Sequence, residues 1–226
     1  MRASSKVQEI PKLTKSKSLR EQVYESVRNR IRDGSITQDE RLVDLELAAE
    51  LGVSRMPVRE ALMQLVHEGM LESTSRGFML RTFPPEEIEQ IFEVRRLLEP
   101  AAAASAAQNM NTASLRQLEG AIRRCELSSE ANDVRAFIVS IAEFRGVWLQ
   151  RVPNVRLIDV IVRFADHVQA IRLTTLQTKA VRDDAVKRMR TLCESFRTGD
   201  AAGAATKTEK QVLAALDAFR RYHRTA

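Results

Sequence analysis

Apolar residues recur at helical spacing along most of the chain. Leu19, Val23, Val27 and Ile31 share one helical face, and Ser18 followed by Glu21 in the first turn makes a capping box ahead of them. Asp33-Gly34 ends this segment, the glycine supplying a left-handed residue past the last turn. A second short helix fits Leu45 to Leu51, with Asp44 placed to cap it, Leu45, Leu51, Ala48 and Ala49 available for packing, and Gly52 to break it. Ser54 is placed to cap a third helix whose first turn holds Arg55, Met56 and Pro57. Proline is tolerated there because first-turn N–H groups have no intrahelical acceptor. Val58, Ala61, Leu62 and Leu65 form the buried stripe of that helix, and Gly69 closes it.

The periodicity changes at Met70. Met70 to Ser73 and Phe78 to Thr82 read as two short strands around the polar turn Thr74-Ser75-Arg76-Gly77. Pro84-Pro85 then marks a boundary, the second proline suiting the first turn of a new helix. Ile88, Ile91, Phe92, Val94, Leu97 and Leu98 open a long helix that runs into the alanine-rich stretch Ala101 to Ala107, where small side chains permit close approach. Periodic segments follow at about 112–125, 133–149, 155–176, 181–196 and 200–222, punctuated by Pro153-Asn154 and Gly199-Asp200. No strand-like alternation occurs there. The expected fold is mainly α: a winged helix-turn-helix with a small β-hairpin wing over 18–83, then an all-α antiparallel helical bundle over 84–226. Residues 1–17 read as a flexible basic arm, since Arg2, Lys6, Lys12, Lys15 and Lys17 face only Glu9; an inert solvated tail is the alternative.

The chain has 226 residues, 44% of them apolar, enough for one or two buried cores. Cys125 and Cys193 have no close spacing and no neighbouring histidine, which speaks against a zinc finger or redox pair and for buried thiols in a reducing compartment. No apolar run approaches the roughly 18 residues that span a bilayer, and no signal-peptide core is present, so a cytoplasmic location without a membrane partner is expected. A formal charge of +6 suits a polyanionic partner, although acids and bases are interspersed. The only histidines, His67, His167 and His223, form no Glu-x-x-His or His-x-x-x-His arrangement. Neither an enzyme nor a cofactor is therefore expected.

A helix, a Gly-Val turn and a second helix fit the helix-turn-helix, whose second helix sets its N-terminal residues against base edges in the major groove. Arg55 and Arg59, one turn apart, project opposite the Val58, Leu62 and Leu65 stripe, and a guanidinium can bond guanine O6 and N7 together. The alternative is a pair of solvated arginines, with Arg59 bridging Glu60 or another acid. The partner expected is double-stranded operator DNA, palindromic and read by a homodimer.

The stretch Arg41 to Leu62, RLVDLELAAELGVSRMPVREAL, strongly resembles the GntR family of bacterial regulators. The resemblance continues through Glu68-Gly69-Met70-Leu71 and Arg76-Gly77 into Glu93 to Glu99, which is similar to the opening helix of the FadR-type, or FCD, effector domain. It implies that Arg55 and Arg59 read bases, that Ser54 and Pro57 position their helix, that Gly77 forms the wing tip, and that Arg76 reaches phosphate or the groove edge. Two departures stand out. Asp39-Glu40 replaces the usual Pro-Gly, and Met56 sits where a small or hydroxylated residue is common, able to contact a thymine methyl but not to hydrogen-bond.

FCD domains typically hold a divalent metal on one Asp and three His. Counting from Phe144, Asn154 and Gly199-Asp200 puts Ile141, Arg145, Met189 and Gln211 at those four positions. Since none can serve as the expected ligand, the resemblance implies a bundle without the metal. Arg145, helped by Arg95, would instead bind the carboxylate of a small-molecule effector. In the alternative, Arg145 pairs with a carboxylate such as Glu99, and the pocket is packed or takes an apolar ligand. The chain thus reads as a ligand-responsive regulator, the alternative being a ligand-independent dimeric DNA binder with a degenerate effector domain.

Overall fold

The computed structural model describes residues 17–225, so the basic arm lies outside the described residues except for Lys17. Helix α1 (Leu19–Arg32) starts at the expected capping box: Ser18 Oγ accepts from the Glu21 amide at 3.2 Å, and Glu21 Oε2 accepts from the Ser18 amide at 2.8 Å. Its Val23, Val27 and Ile31 pack on helix α3 (Arg55–His67), which contributes Val58, Ala61, Leu62 and Leu65 to the same core. Between them lies α2 (Asp44–Leu51), closed by a left-handed Gly52.

Three details depart from expectation. Val43, not Asp44, is the N-cap of α2, because the helix starts one residue early and Asp44 turns its carboxylate to Arg55. Leu47, not Leu45, enters the core beside Ala48, and Leu45 stays exposed. Ser54 does occupy the N-cap of α3, yet its hydroxyl makes no capping bond.

The wing is the antiparallel pair β1 (Leu71–Thr74) and β2 (Gly77–Leu80), in register Leu71↔Leu80 through Thr74↔Gly77, so the turn is only Ser75-Arg76. Leu42 joins this sheet: its N–H donates to Phe78 O and its carbonyl accepts from Phe78 N–H, both at 2.8 Å. The same contact explains Gly77, which has φ +131°. A Cβ there would sit 2.6 Å from the Leu42 carbonyl oxygen.

The rest is helical: α4 (Pro85–Gln108), α5 (Thr112–Glu130), α6 (Val134–Leu149), α7 (Val155–His167), α8 (Gln169–Thr175), α9 (Lys179–Thr198) and α10 (Ala201–Thr225). Helices α4 and α10 run antiparallel, with Arg220 Nε 2.8 Å from Glu89 at one end. Ala102, Ala103, Ala106 and Ala107 are buried, as close helix approach requires. Cys125 and Cys193 are buried thiols, and burial pushes Cys125 up to about 12. The apolar segment expected over 155–176 is two helices, broken at Val168. Apolar periodicity continues through the break because Val168 is itself in a small core with Ile88, Phe92, Val212 and Phe219. The buried Arg182 anchors the far end of α8 by donating to Leu176 O and Gln177 O, both at 2.8 Å.

The last turns of α7 join the two domains. Asp166, 8% exposed, accepts from Arg28 Nη2 at 2.6 Å and Arg32 Nε at 2.7 Å, both on α1. Arg163 Nη2 donates to His67 O at 3.0 Å, and His167 Nε2 lies 2.8 Å from Glu68 O, so that nitrogen carries the proton. Leu173 of α8 packs on Gly34, beside a cleft of about 290 Å³ between the domains. Asp166→Ala should loosen this docking by about 2 kcal/mol, between the values for exposed and buried pairs. Faster amide exchange in α1 and faster proteolysis near Phe83, with helical content unchanged, is the expected result; unchanged protection would show that the ion pairs do not hold the junction.

Candidate nucleic-acid interface and effector cavity

Ser54, Arg55, Met56 and Arg59 occupy the exposed first turns of α3, opposite its buried stripe, and Met56 is 69% exposed. Such an apolar side chain in water at a helix start is available for contact. Arg55 is tied by Nε to Asp44 Oδ2 at 3.0 Å, a partner that sequence reasoning had assigned to capping. Arg76 sits exposed in the hairpin turn, its amide donating to Thr74 Oγ1 at 3.3 Å. Gly77, expected at the wing tip, lies just past it against Leu42, so the backbone contact accounts for its glycine.

The bundle holds a half-open cavity of about 150 Å³, and all five sequence-predicted effector residues, Arg95, Ile141, Arg145, Met189 and Gln211, line it. They come from four helices. Glu99, 3% exposed, accepts from Arg95 Nε at 2.7 Å and forms an ion pair with Arg145, so the pairing held as an alternative is present. Burial alone would raise the Glu99 carboxyl, but Arg145 and Arg95 outweigh it and hold the group below its ordinary value. Arg172 and Arg188, on α8 and α9, also line the cavity. Burial, then repulsion from Arg145 and Arg95, pushes Arg172 down to about 9, still protonated at neutral pH. Arg188 pairs with Asp184 on its solvent side. Two buried donors facing this region, Arg145 Nε and Gln211 Nε2, have no hydrogen-bond partner among the described residues. Sequence reasoning missed Arg172 and Arg188 because no local motif marks a lone arginine on an amphipathic helix.

A winged helix-turn-helix followed by an all-helical domain with an internal cavity is the architecture of a bacterial transcriptional regulator. Residues 19–78 match the family model for bacterial regulatory proteins of the gntR family, and residues 90–213 match the FCD domain; the chain belongs to the GntR family and carries an FCD domain. It is 34% identical over 127 residues, 56% of this chain and 51% of the relative, to an uncharacterised HTH-type transcriptional regulator of Mycobacterium tuberculosis. It is 30% identical over 163 residues, 64% of this chain and 77% of the relative, to the Nta operon transcriptional regulator of Aminobacter aminovorans. The chain spans about half the length of the first of these curated relatives. The solved structure of Escherichia coli McbR matches with a TM-score of 0.83 at 21% identity, covering 91% of this chain and 99% of that one, which shows the shared fold. No helix among the described residues is long and apolar enough to cross a membrane.

The metal implied by the FCD resemblance does not fit these residues. Ile141, Arg145, Met189 and Gln211 face a cavity rimmed by guanidiniums, and among the described residues no three His, Cys, Asp or Glu side chains converge on one point. Glu99 is the carboxylate that makes so much buried positive charge tolerable. Glu99→Gln should cost about 3–5 kcal/mol at pH 7, because Arg95 and Arg145 are left uncompensated. Since the folded carboxyl is held low, its contribution is present above the ordinary glutamate value and disappears as pH falls through the lower folded value. Denaturant titrations should show that acid-dependent component in the wild type and not in the variant; equal stability of the two at pH 7 would contradict the assignment.

Proposed function

We propose that this protein is a ligand-responsive transcriptional regulator that binds a palindromic operator as a homodimer and senses a small acidic metabolite in the arginine-lined cavity without a metal. The observation that carries the effector reading is the pair of buried, unpartnered donors Arg145 Nε and Gln211 Nε2 at the cavity. A buried donor without an acceptor is costly, and a carboxylate oxygen accepts from both. Phe144, Trp148 and Met189 supply an apolar wall for the rest of the molecule. A cavity of about 150 Å³ suits a small effector. The basic arm over 1–17 adds sequence-independent attraction to phosphates.

At the other end, Arg55 and Arg59 reach guanine edges, Met56 a thymine methyl, and Arg76 the backbone beside the groove. With the Ser54 hydroxyl not engaged in capping, the first-turn amides of α3 remain open to a phosphate. A single reading helix per chain fits a dimer on two half-sites. Glu99 favours one rival reading, because it already compensates Arg95 and Arg145 and so suits a bundle that serves only to dimerise.

Arg55→Ala and Arg59→Ala should each lower operator affinity by about 1–3 kcal/mol and relax a G·C preference at one position per half-site, while Arg76→Ala weakens all sequences alike. Selection from random DNA reads this directly, and unchanged preference in both helix variants would remove the recognition-helix assignment. Sedimentation should give a dimer on operator DNA. A thermal-shift series of small mono- and dicarboxylates should find one that stabilises by about 2.7 kcal/mol at a hundredfold excess over Kd, with the shift lost in Arg145→Ala. A flat series would favour the ligand-independent rival.

A further inference from the structure

We propose that Asp44 is a positioning residue for base recognition: its buried carboxylate, paired with Arg55 on the Nε side, restrains the guanidinium and thereby biases which edge faces the DNA. The inference rests on the reading of Arg55 as a base contact. Asp44 is 7% exposed and belongs to α2, whereas Arg55 is the first residue of α3, so their 3.0 Å ion pair ties the two helices of the motif. The left-handed Gly52 and the bond from Val53 N to Ala48 O, at 3.1 Å, fix the turn between them. Asp44 therefore has a set position relative to the start of α3.

A guanidinium offers two bidentate edges, Nε with one Nη and the two Nη together. The Asp44 carboxylate sits as an ion-pair partner on the Nε side of the guanidinium, away from the end-on Nη pair that suits guanine O6 and N7. The side chain of Arg55 is 57% exposed, so without this tether nothing buried would restrain it before DNA arrives. Arg59, one turn further on, makes no ion pair among the described residues, which supplies an internal comparison. Asp44 has a second effect. A carboxylate only accepts hydrogen bonds and repels phosphate, so it lowers affinity for DNA in general while sharpening the choice of one base.

These two effects have opposite signs, which separates positioning from mere structural support. Competitive selection from random DNA, with the full-length protein, would compare the wild type with Asp44→Asn, Arg55→Ala and the double variant. Asp44→Asn should lose about three- to tenfold of the guanine preference at the position governed by Arg55, as partial loss of one bidentate contact, and none at the position governed by Arg59. Affinity for non-specific competitor DNA should stay equal or rise, and adding Asp44→Asn to Arg55→Ala should remove no further preference. Asp44→Glu, which keeps the charge, should retain more preference than Asp44→Asn. If Arg55→Ala relaxes the guanine preference while Asp44→Asn leaves it intact, the positioning role falls and the base contact stands. If Arg55→Ala changes nothing, the underlying reading of Arg55 fails instead. Equal weakening on operator and competitor DNA by Asp44→Asn would also overturn the proposal, as a structural effect. Should Asp44→Asn fail to fold, Asp44→Ser in the same selection decides the matter: loss of the guanine preference at the position governed by Arg55 is expected, and an intact preference overturns the positioning role.

Discussion

A single carboxylate, Asp166, sets how the two halves of the molecule face each other. It accepts from two arginines of the first helix, Arg28 and Arg32, and in the same turn of α7 Arg163 and His167 hold the carbonyls that end the recognition helix. One helical turn thus grips the first helix of the reading domain and the end of its recognition helix. Ion pairs at this depth contribute orientation more than stability, because the desolvation of three charged groups offsets much of their attraction. Burial also keeps the pKa of His167 below its ordinary value, so the imidazole stays neutral and its Nε2–H remains the donor across the neutral range.

The same arrangement, one acid shared between two arginines, recurs inside the bundle, where Glu99 serves Arg95 and Arg145. The two differ in completeness. At the junction, three of the arginine nitrogens nearest Asp166 lie within 2.9 Å of its oxygens, which closes the cluster. In the bundle, Arg145 Nε has no hydrogen-bond partner among the described residues, so the cluster is not closed. The first geometry suits a fixed joint and the second a place to be filled.

The parts of the fold legible in the sequence are those where many residues repeat one signal. The α3 stripe, the Ser18-Glu21 box and the Pro84-Pro85 boundary all stand where the sequence put them, and the α1 stripe does so at Val23, Val27 and Ile31 while Leu19, at the helix start, stays exposed. Single-residue events were not legible. Leu42 pairs with Phe78 as one bridge, too short to show alternation, and the break at Val168 hides inside an unbroken apolar repeat. Asp44 looks like a cap because an acid in a first turn usually serves the helix; only the packing of α2 on α3 reveals Arg55 as its partner. The cavity residues were found through family resemblance, since Ile141, Arg145, Met189 and Gln211 share no spacing that points to a common site.

Helix α8 has only seven residues, and consecutive side chains on it belong to different halves of the protein. Arg172 lines the cavity of the bundle, and Leu173 rests on Gly34 at the end of α1. A Cβ on Gly34 would come within 3.1 Å of Leu173 Cδ1, so the leucine bears on bare main chain with no flexible side chain between to absorb a shift. The short helix therefore carries, on adjacent residues, one wall of the cavity and one contact with the domain that holds the recognition helix.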